Sequence, residues 1–471
     1  MAGLENPGLW LGGLMALKQD TPAPRVAIVG AGWAGCSAAV AAIELGWQVD
    51  LFEAAPAAGG RAKSLTKATT HLHNDPPLDN GQHILLGAYS ACLATLKTIS
   101  VNADAVFMRS ALDLRDKNAA GFALPNWAST ATSEVGMASA VTWAVVRCRR
   151  WPIRARVQLL TRMLRWRLSG FTCHSSATVA DICTGLHSSV MRDFIEPLCV
   201  SALNIAPNSA SGSVWLRVLK DALLSEPGSS DMLLAKCDLS TLFVEPCLTW
   251  LKQQGGRVHT GARVTQVMRK SGKWHVTLAA SEACTQPTHA DVQATPYNHV
   301  IVATPAAQAS AICWIHNPHW AQAAASLEHT AIATVYAHSK EVMPPWRSPM
   351  LALTGGLAQF VFNRSDLMAP TQTCQVAAVV SDSAANSRDD ITASVMQQLD
   401  KTWPHARWEW LQTVVEKRAC FACTPHAARP VMRIAANLWA CADYIAGPYP
   451  STLEGAVRNG REVMQAIGQA S

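Results

Sequence analysis

A glycine-rich turn near the start of the chain constrains the fold more than any other feature. Residues 25–29 form a short apolar run, residues 30–35 read GAGWAG, and residues 36–45 are rich in alanine. This order predicts a strand, a tight turn and a helix, and residues 48–53 predict a second strand. A unit of this kind binds the pyrophosphate of a dinucleotide.

Each glycine of the turn has its own physical task. Gly30 permits the tight turn, Gly32 lets the backbone approach a pyrophosphate, and Gly35 allows the helix to pack closely on the strand. The helix N-terminus stabilises the anion, and Glu53 is placed to accept hydrogen bonds from ribose hydroxyls. The predicted dinucleotide site therefore contains Gly30, Gly32, Trp33, Ala34, Gly35 and Glu53.

A second glycine motif follows the second predicted strand and narrows the class of protein. Residues 53–64, EAAPAAGGRAKS, resemble the segment of flavin amine oxidases in which two glycines and an arginine lie along the FAD diphosphate and the flavin. The resemblance implies FAD as the cofactor and assigns Gly59, Gly60 and Arg61 to its site. An exposed turn with a solvated arginine is the alternative.

Residues 78–89, LDNGQHILLGAY, are the most specific stretch of the chain. They resemble the flavin-proximal segment of hydroxysqualene dehydroxylases and, more loosely, that of plant-type phytoene desaturases, whereas amine oxidases differ here. The resemblance places Asn80, Gly81 and Gln82 next to the flavin. It also makes Asp79 and His83 the candidates for a general acid, with a structural histidine as the alternative for His83.

The C-terminal half of the chain completes the cofactor site. Residues 256–267 and 298–305 resemble the second FAD segment of this superfamily, in which Val264 contacts the adenine side through its backbone. Residues 438–444 predict a strand, the sequence GPYP breaks it, and residues 451–464 predict a helix with Ser451 as its N-cap. By the same resemblance, the site also includes Asp443, Ser451, Thr452 and Leu453.

One departure from the family pattern is Ala442, which stands where relatives have a glycine before the aspartate. Its extra methyl group predicts weaker FAD binding. Cys420-x-x-Cys423 has no second cysteine pair that would form a zinc site, so we expect a packing role and no metal.

The resemblance implies an α/β fold with two domains. A Rossmann-like FAD-binding domain of the glutathione-reductase and amine-oxidase type is expected over residues 25–90, 236–305 and 416–471, after an N-terminal extension over residues 1–24. A mixed α+β substrate domain is expected over residues 91–235 and 306–415.

Composition limits the partners and the compartment. The net charge of +6 is too small an excess to predict nucleic-acid binding, and the scattered cysteines without a secretory signal favour a reduced, cytoplasmic protein. The sequence contains no run of about 20 apolar residues of the kind that would predict a membrane span. Tryptophan and arginine are concentrated over residues 143–167, which suits either a helix on an anionic inner-membrane surface or a solvated helix with its tryptophans turned inward.

The function implied by the resemblance is reduction of hydroxysqualene to squalene by FAD, with release of water. The substrate is then a long isoprenoid lipid, and no separate NAD(P) motif identifies the electron donor. The alternatives are a carotenoid desaturase, which runs the same scaffold oxidatively, and an amine oxidase. Lipid-binding escort proteins of the same fold lack flavin chemistry, and Gly59, Gly60, Arg61 and Asp443 argue against them.

Overall fold

The computed structural model describes residues 23–65, 77–131, 133–223, 225–279, 294–341, 346–368 and 374–470. All but the last two residues of the predicted extension 1–24 lie outside this part of the chain. The strands are β1 (Arg25–Val29), β2 (Gln48–Phe52), β3 (Leu85–Leu86), β4 (Phe107–Ser110), β5 (Met232–Ala235), β6 (Arg257–His259), β7 (Val264–Lys270), β8 (Lys273–Leu278), β9 (His299–Val302), β10 (His329–Ser339), β11 (Met350–Ala352), β12 (Phe360–Asn363), β13 (Cys374–Ser381), β14 (Glu409–Phe421), β15 (Arg433–Ala435) and β16 (Leu438–Ala440).

Helices are interspersed with these strands along the chain. The α-helices are α1 (Trp33–Glu44), α2 (Ser90–Thr98), α3 (Ala103–Val106), α4 (Glu134–Arg147), α5 (Ile153–Leu168), α6 (Val179–Ile182), α7 (Ser188–Val190), α8 (Glu196–Leu203), α9 (Gly212–Val218), α10 (Glu245–Gln253), α11 (Ala306–Cys313), α12 (Pro318–Ala325), α13 (Arg388–Thr402) and α14 (Leu453–Ala470).

The predicted nucleotide-binding sheet is present and has the expected topology. Its strand order is β15-β16-β9-β1-β2-β6, and β1 pairs in parallel with both β2 and β9. After β1 the chain forms β2 on one side of it, and β9 later pairs with β1 on the other side. Ligands of open α/β sheets bind at such a switch point, beyond the carboxyl ends of the strands. The glycine turn lies at that edge.

The helices next to the turn are held unusually close together. A Cβ at Gly460 of α14 would lie 2.3 Å from the carbonyl oxygen of Ala34 on α1, and the Ser37 hydroxyl donates to the carbonyl of Val457 at 2.8 Å. The small residues of α1 therefore serve close helix packing. Through this contact the C-terminal helix is fixed against the start of the nucleotide-binding unit.

A five-stranded antiparallel sheet, β11-β12-β13-β10-β14, stands over the same region. From β10 the Tyr336 hydroxyl donates to the carbonyl of Asp79 at 3.0 Å, and Thr334 Oγ1 accepts from the amide of Gln82 at 3.4 Å. The sheet therefore covers residues 79–83, where we predicted the flavin-proximal segment.

The α/β expectation is confirmed, whereas the exact domain boundaries stay predictions. Cys92 and Leu96 of α2 are buried in the same core as β1 and α1, although the predicted substrate domain begins at residue 91. Residue 416, the other predicted boundary, lies inside β14 of the antiparallel sheet. No helix of the described residues is long and apolar enough to cross a bilayer.

Candidate functional site

The glycine turn has the geometry that its sequence predicts. Gly30 has φ +109°, and a Cβ there would lie 2.5 Å from the carbonyl oxygen of Ala303. At Gly35 a Cβ would lie 1.9 Å from the carbonyl oxygen of Gly30. Both positions therefore exclude any side chain, and the turn presents backbone groups at the end of β1.

The second glycine motif packs directly on the first. The amide of Gly59 donates to the carbonyl of Ala31 at 2.9 Å, and a Cβ at Gly60 would lie 3.3 Å from the Cα of Gly32. Two side-chain-free segments thus meet at the switch point, which suits close approach to a diphosphate. Trp33 contributes no exposed ring, because its indole is buried against Phe243 and donates to the carbonyl of Ala62.

Glu53 is fixed at the end of β2 by the turn itself. Its carboxylate oxygens accept from the amides of Ala31 at 2.9 Å and Ala55 at 2.8 Å. The amide of Ala262 donates to the Glu53 carbonyl at 2.8 Å, which brings the segment before β7 to the same place. Val264 begins β7 with its side chain buried, so the structure leaves backbone contact as the role available to it.

Arg61 joins the first and last segments of the site. Its guanidinium lies 2.5 Å from Asp443 Oδ1 and donates to the carbonyl of Ala419 at 2.6 Å. The Asn80 amide in turn donates to the carbonyl of Arg61 at 3.1 Å. Three of the predicted cofactor residues therefore form one cluster, although Arg61 and Asp443 are 382 positions apart.

Gln82 carries a buried acceptor that the protein leaves unsatisfied. Among the described residues no partner is found for its Oε1, while its backbone amide is bonded to Thr334. An unsatisfied buried polar atom costs about 1–3 kcal/mol, so a donor from a bound group is the natural partner. The Gln82 side-chain oxygen is therefore suited to accept a hydrogen bond from the edge of a flavin.

Asp79 and His83 line one small cavity, but burial shifts their protonation in different senses. The cavity is lined by Asp79, Gln82, His83, Arg364, Leu367 and Met368, among others. Burial raises the pKa of Asp79 to about 6, against the opposing charge of Arg364. Burial, assisted by the charge of Arg61, lowers the pKa of His83 to about 4. At neutral pH His83 is uncharged, whereas Asp79 exchanges its proton about one pH unit below neutrality.

The predicted N-cap of the last helix is wrong by one residue. Ser451 has φ +55°, in the left-handed region, and its hydroxyl donates to the carbonyl of Phe421 at 3.0 Å. Thr452 caps the helix, because its Oγ1 accepts from the amide of Gly455 at 2.9 Å, and α14 begins at Leu453. The turn at residues 447–450 delays the helix, so Ser451 instead ties the turn to β14.

The strand before this turn is also shorter than predicted. It covers Leu438–Ala440 rather than residues 438–444, because the chain bends after its last pairing with β9. Ala442 is buried, its amide donates to Asn459 Oδ1 at 3.0 Å, and its φ lies outside the left-handed region. The alanine is therefore accepted without backbone strain. Its predicted effect on FAD binding stays a prediction.

Both cysteines of the Cys420-x-x-Cys423 motif lie beside Ser451, in the turn before α14. Cys420 Sγ is 3.9 Å from the carbonyl oxygen of Ser451, and Cys423 Sγ is 3.7 Å from the Ser451 hydroxyl. Burial raises the pKa of both thiols, to about 12 and about 11. Both are therefore protonated thiols in packed surroundings. Across the described stretches of chain, no cluster of three or more metal-ligating side chains occurs.

Sequence reasoning missed the residues that surround the Asp79 carboxylate. Ser64 Oγ lies 3.1 Å from Asp79 Oδ1, the amide of Leu239 donates to the same oxygen at 3.0 Å, and Arg364 Nη1 is 3.8 Å from Oδ2. Asp238 approaches from behind Ser64. Ser64 ends the segment 53–64, in which the resemblance gave roles only to the glycines and the arginine. Asp238, Leu239 and Arg364 belong to no motif, so no local signal marks them.

Comparison with known proteins places the chain in a family. The model of the family described as flavin containing amine oxidoreductase matches residues 33–468. The chain belongs to this family. Its cofactor is accordingly a flavin, FAD, and the glycine cradle, the fixed Glu53 carboxylate and the unsatisfied Gln82 oxygen fit such a group.

Known proteins resemble this chain in sequence or in fold. The chain is 26% identical to the hydroxysqualene dehydroxylase of Sinorhizobium fredii, over 93% of this chain and 96% of that protein. It is also 26% identical to the hydroxysqualene dehydroxylase of Zymomonas mobilis, over 92% and 96%. An oxidoreductase from Methanosarcina mazei shares the fold with a TM-score of 0.67 at 15% identity, over 94% of this chain and all of the other.

Proposed function

We propose that this protein is an FAD-dependent hydroxysqualene dehydroxylase, which reduces hydroxysqualene to squalene and releases water. The observation that carries the proposal is similarity to proteins of that name along nearly the whole chain. The site agrees with it, because a reductive dehydroxylation needs an acid for the leaving hydroxyl, and Asp79 is a buried carboxyl with a pKa of about 6.

FAD binding involves the predicted residues in distinct ways. The glycine turns hold the diphosphate by backbone amides, Glu53 binds a ribose, and Arg61, Asp443 and the N-terminus of α14 surround the flavin end. Supporting contacts are the Arg61–Asp443 ion pair and the Thr452 cap. The proposed FAD-binding residues are Gly30, Gly32, Trp33, Ala34, Gly35, Glu53, Gly59, Gly60, Arg61, Asn80, Gly81, Gln82, Val264, Asp443, Ser451, Thr452 and Leu453.

Asp79 rather than His83 is the proposed general acid. The uncharged His83 has no proton to spare for a leaving group at neutral pH, whereas Asp79 gains its proton near pH 6. Protonation of the allylic hydroxyl by Asp79 lets it depart as water. FAD, when reduced, supplies the hydride. The apolar walls formed by Leu239, Leu367 and Met368 exclude water that would recapture an allylic cation.

The desaturase and amine oxidase alternatives need no such acid. Both oxidise their substrates and release a proton, so Asp79 would act in them as a base in its ionised form rather than as an acid for a leaving hydroxyl. Purified protein with bound FAD should be offered hydroxysqualene under reducing anaerobic conditions, and phytoene or putrescine with oxidised flavin. Formation of squalene supports the proposal. Bleaching of the flavin by phytoene or by the amine, without squalene formation, contradicts it.

We also propose that the protein contacts an anionic membrane surface through α4 and α5. The exposed apolar residues Ile153, Val157, Leu164 and Leu168 repeat along one side of α5, which contains five arginines and no acidic residue. On α4 the apolar residues Val135, Trp143 and Val146 are exposed as well. We call these seven residues the α4–α5 face. An apolar stripe flanked by arginine suits the boundary of anionic lipid.

Of the tryptophans expected at this surface, two are buried in the core and one is exposed. Trp151 and Trp166 are 1% and 6% exposed and pack in the core, so the inward alternative describes them, whereas Trp143 is half exposed. Aliphatic residues instead form most of the exposed apolar area. The membrane contact thus rests on the aliphatic stripe and the arginines.

Vesicle sedimentation tests the α4–α5 face. Ile153→Ser with Leu168→Ser should weaken binding to phosphatidylglycerol vesicles by about 30-fold, since each of the two lost insertions is worth ~1 kcal/mol. Leu45→Ser with Val431→Ser changes two other exposed apolar residues elsewhere and should have no effect. Equal binding by both double variants contradicts the proposal, as does equal binding to neutral phosphatidylcholine. The proposed site of action is the cytoplasmic surface of the inner membrane.

A further inference from the structure

The buried position of Asp79 raises the question of how it regains a proton after each turnover. Asp79 is 5% exposed, and it is surrounded by Arg364, Tyr336, Leu239 and Ser64. An acid that gives its proton to a leaving hydroxyl stays ionised until another proton arrives. The carboxyl therefore has little direct contact with the bulk solvent.

Ser64 lies between Asp79 and a second carboxylate. Its hydroxyl is 3.1 Å from Asp79 Oδ1 and is also hydrogen-bonded to Asp238 Oδ1. The backbone holds this arrangement, because Ser64 pairs with Asp79 in an antiparallel bridge and the amide of Ser240 donates to Ser64 Oγ at 3.1 Å. The three side chains therefore form a continuous hydrogen-bonded row.

Asp238 is the outer end of this row. It is half-buried and begins the turn that leads into residues 240–244, with the amides of Ser240 and Thr241 donating to its Oδ1 at 3.1 Å. Burial opposes its ionisation, but the hydrogen bonds from Ser64 and Thr241 lower its pKa. The pKa of Asp79 is raised instead, so a proton on Asp238 is more stable after transfer inward.

The charges around the row support the same direction of transfer. Arg364 faces Asp79 from β12's end, Tyr336 bonds only its backbone carbonyl, and His83 across the cavity is uncharged at neutral pH. Cys237 beside them has its pKa raised to about 11 by burial and by the two carboxylates, so it too is uncharged. Asp79, with its pKa raised to about 6, is thus the group of this cluster that changes its charge closest to neutral pH.

We propose that Ser64 and Asp238 form a proton relay that reprotonates Asp79 from solvent. This inference rests on the proposed function. Asp238 takes a proton from water and donates it to Ser64 Oγ, while Ser64 gives its own hydroxyl proton to Asp79 Oδ1. One O–H bond forms and one breaks at the serine, so its hydroxyl is restored. Each cycle delivers the single proton that leaves with the hydroxyl as water.

The kinetic test compares Ser64→Ala with Ser64→Thr, which keeps the hydroxyl. Ser64→Ala should lower kcat for squalene formation by about 10-fold, well short of the ~100-fold or greater loss expected without the acid itself. It should also enlarge the solvent deuterium isotope effect, while FAD content and KM stay unchanged. Ser64→Thr should restore both values, and Asp238→Asn should behave like Ser64→Ala.

The outcomes separate the relay from the proposed function. If the wild-type protein makes squalene and Ser64→Ala matches it in kcat and isotope effect, the relay is wrong and the function stands. If the wild type makes no squalene, the function fails and the catalytic relay fails with it. Infrared spectroscopy needs no substrate: the carboxylic acid band assigned by its loss in Asp79→Asn should titrate near pH 6 and shift in Ser64→Ala. An unshifted band contradicts the hydrogen-bonded row.

Discussion

At the scale of single residues, Asp79 is the most informative position of the chain. The sequence predicted it as a candidate acid by resemblance alone, and the structure adds the reason, which is burial beside a cavity with one hydroxyl and one guanidinium near its carboxylate. Arg364 could not be predicted, because it reaches Asp79 from a strand end far along the chain and belongs to no motif.

Replacing Asp79 by asparagine should remove the acid and keep the shape. We expect kcat for squalene formation to fall by about 100-fold or more, with FAD content unchanged, because general acids contribute on the order of 10² to 10⁴ to such rates. Anaerobic stopped-flow kinetics measure the loss. His83→Asn is the matched comparison in the same cavity and should retain most of the activity. The reverse ranking of the two variants would make His83 the acid.

The raised pKa of Asp79 also predicts how stability depends on pH. Between pH 4 and pH 6 the folded protein holds a proton on Asp79 that the unfolded chain has released, so raising the pH through this window destabilises the fold. The free energy of unfolding of the wild type, relative to Asp79→Asn, should fall by up to about 3 kcal/mol. Denaturant titrations at pH 4 and pH 7 measure it. A constant difference would mean that Asp79 has an ordinary pKa.

At the scale of elements, the sequence predicted local features well and junctions poorly. The first strand, the glycine turn and α1 were predictable because each is set by neighbouring residues. The start of α14 was not, because Ser451 and Thr452 are both good N-caps and only the contact of Ser451 with Phe421 decides between them. The inward side of α5 was likewise decided by packing, which buries Trp166 and leaves Leu164 exposed.

The corrected cap gives a prediction with an internal control. Thr452→Ala should lower stability by about 1 kcal/mol, because it removes the acceptor for the amide of Gly455. It should also weaken FAD binding, since this helix terminus faces the flavin end of the proposed site. Ser451→Ala keeps the cap and should leave the helix intact. Circular dichroism melts and FAD titrations of both apoproteins give the comparison, and equal effects of the two changes would contradict the assignment.

At the scale of the whole molecule, the site exists because distant segments converge. The ion pair between Arg61 and Asp443 joins the second glycine motif to the segment that follows β16, and β10 covers residues 79–83 from above. Sequence motifs predicted which segments would take part. The burial and the neighbouring arginines that shift the pKa values of Asp79 and His83 required the folded chain.

The central claim is that this assembly delivers a hydride and a proton to an allylic alcohol. The most direct measurement is a single turnover: protein with bound FAD is reduced without oxygen and mixed with hydroxysqualene, and flavin absorbance and squalene are followed together. The account predicts one squalene formed for each flavin reoxidised, at a rate that falls as pH rises above about 6. Flavin that stays reduced, or reoxidation without squalene, would contradict it.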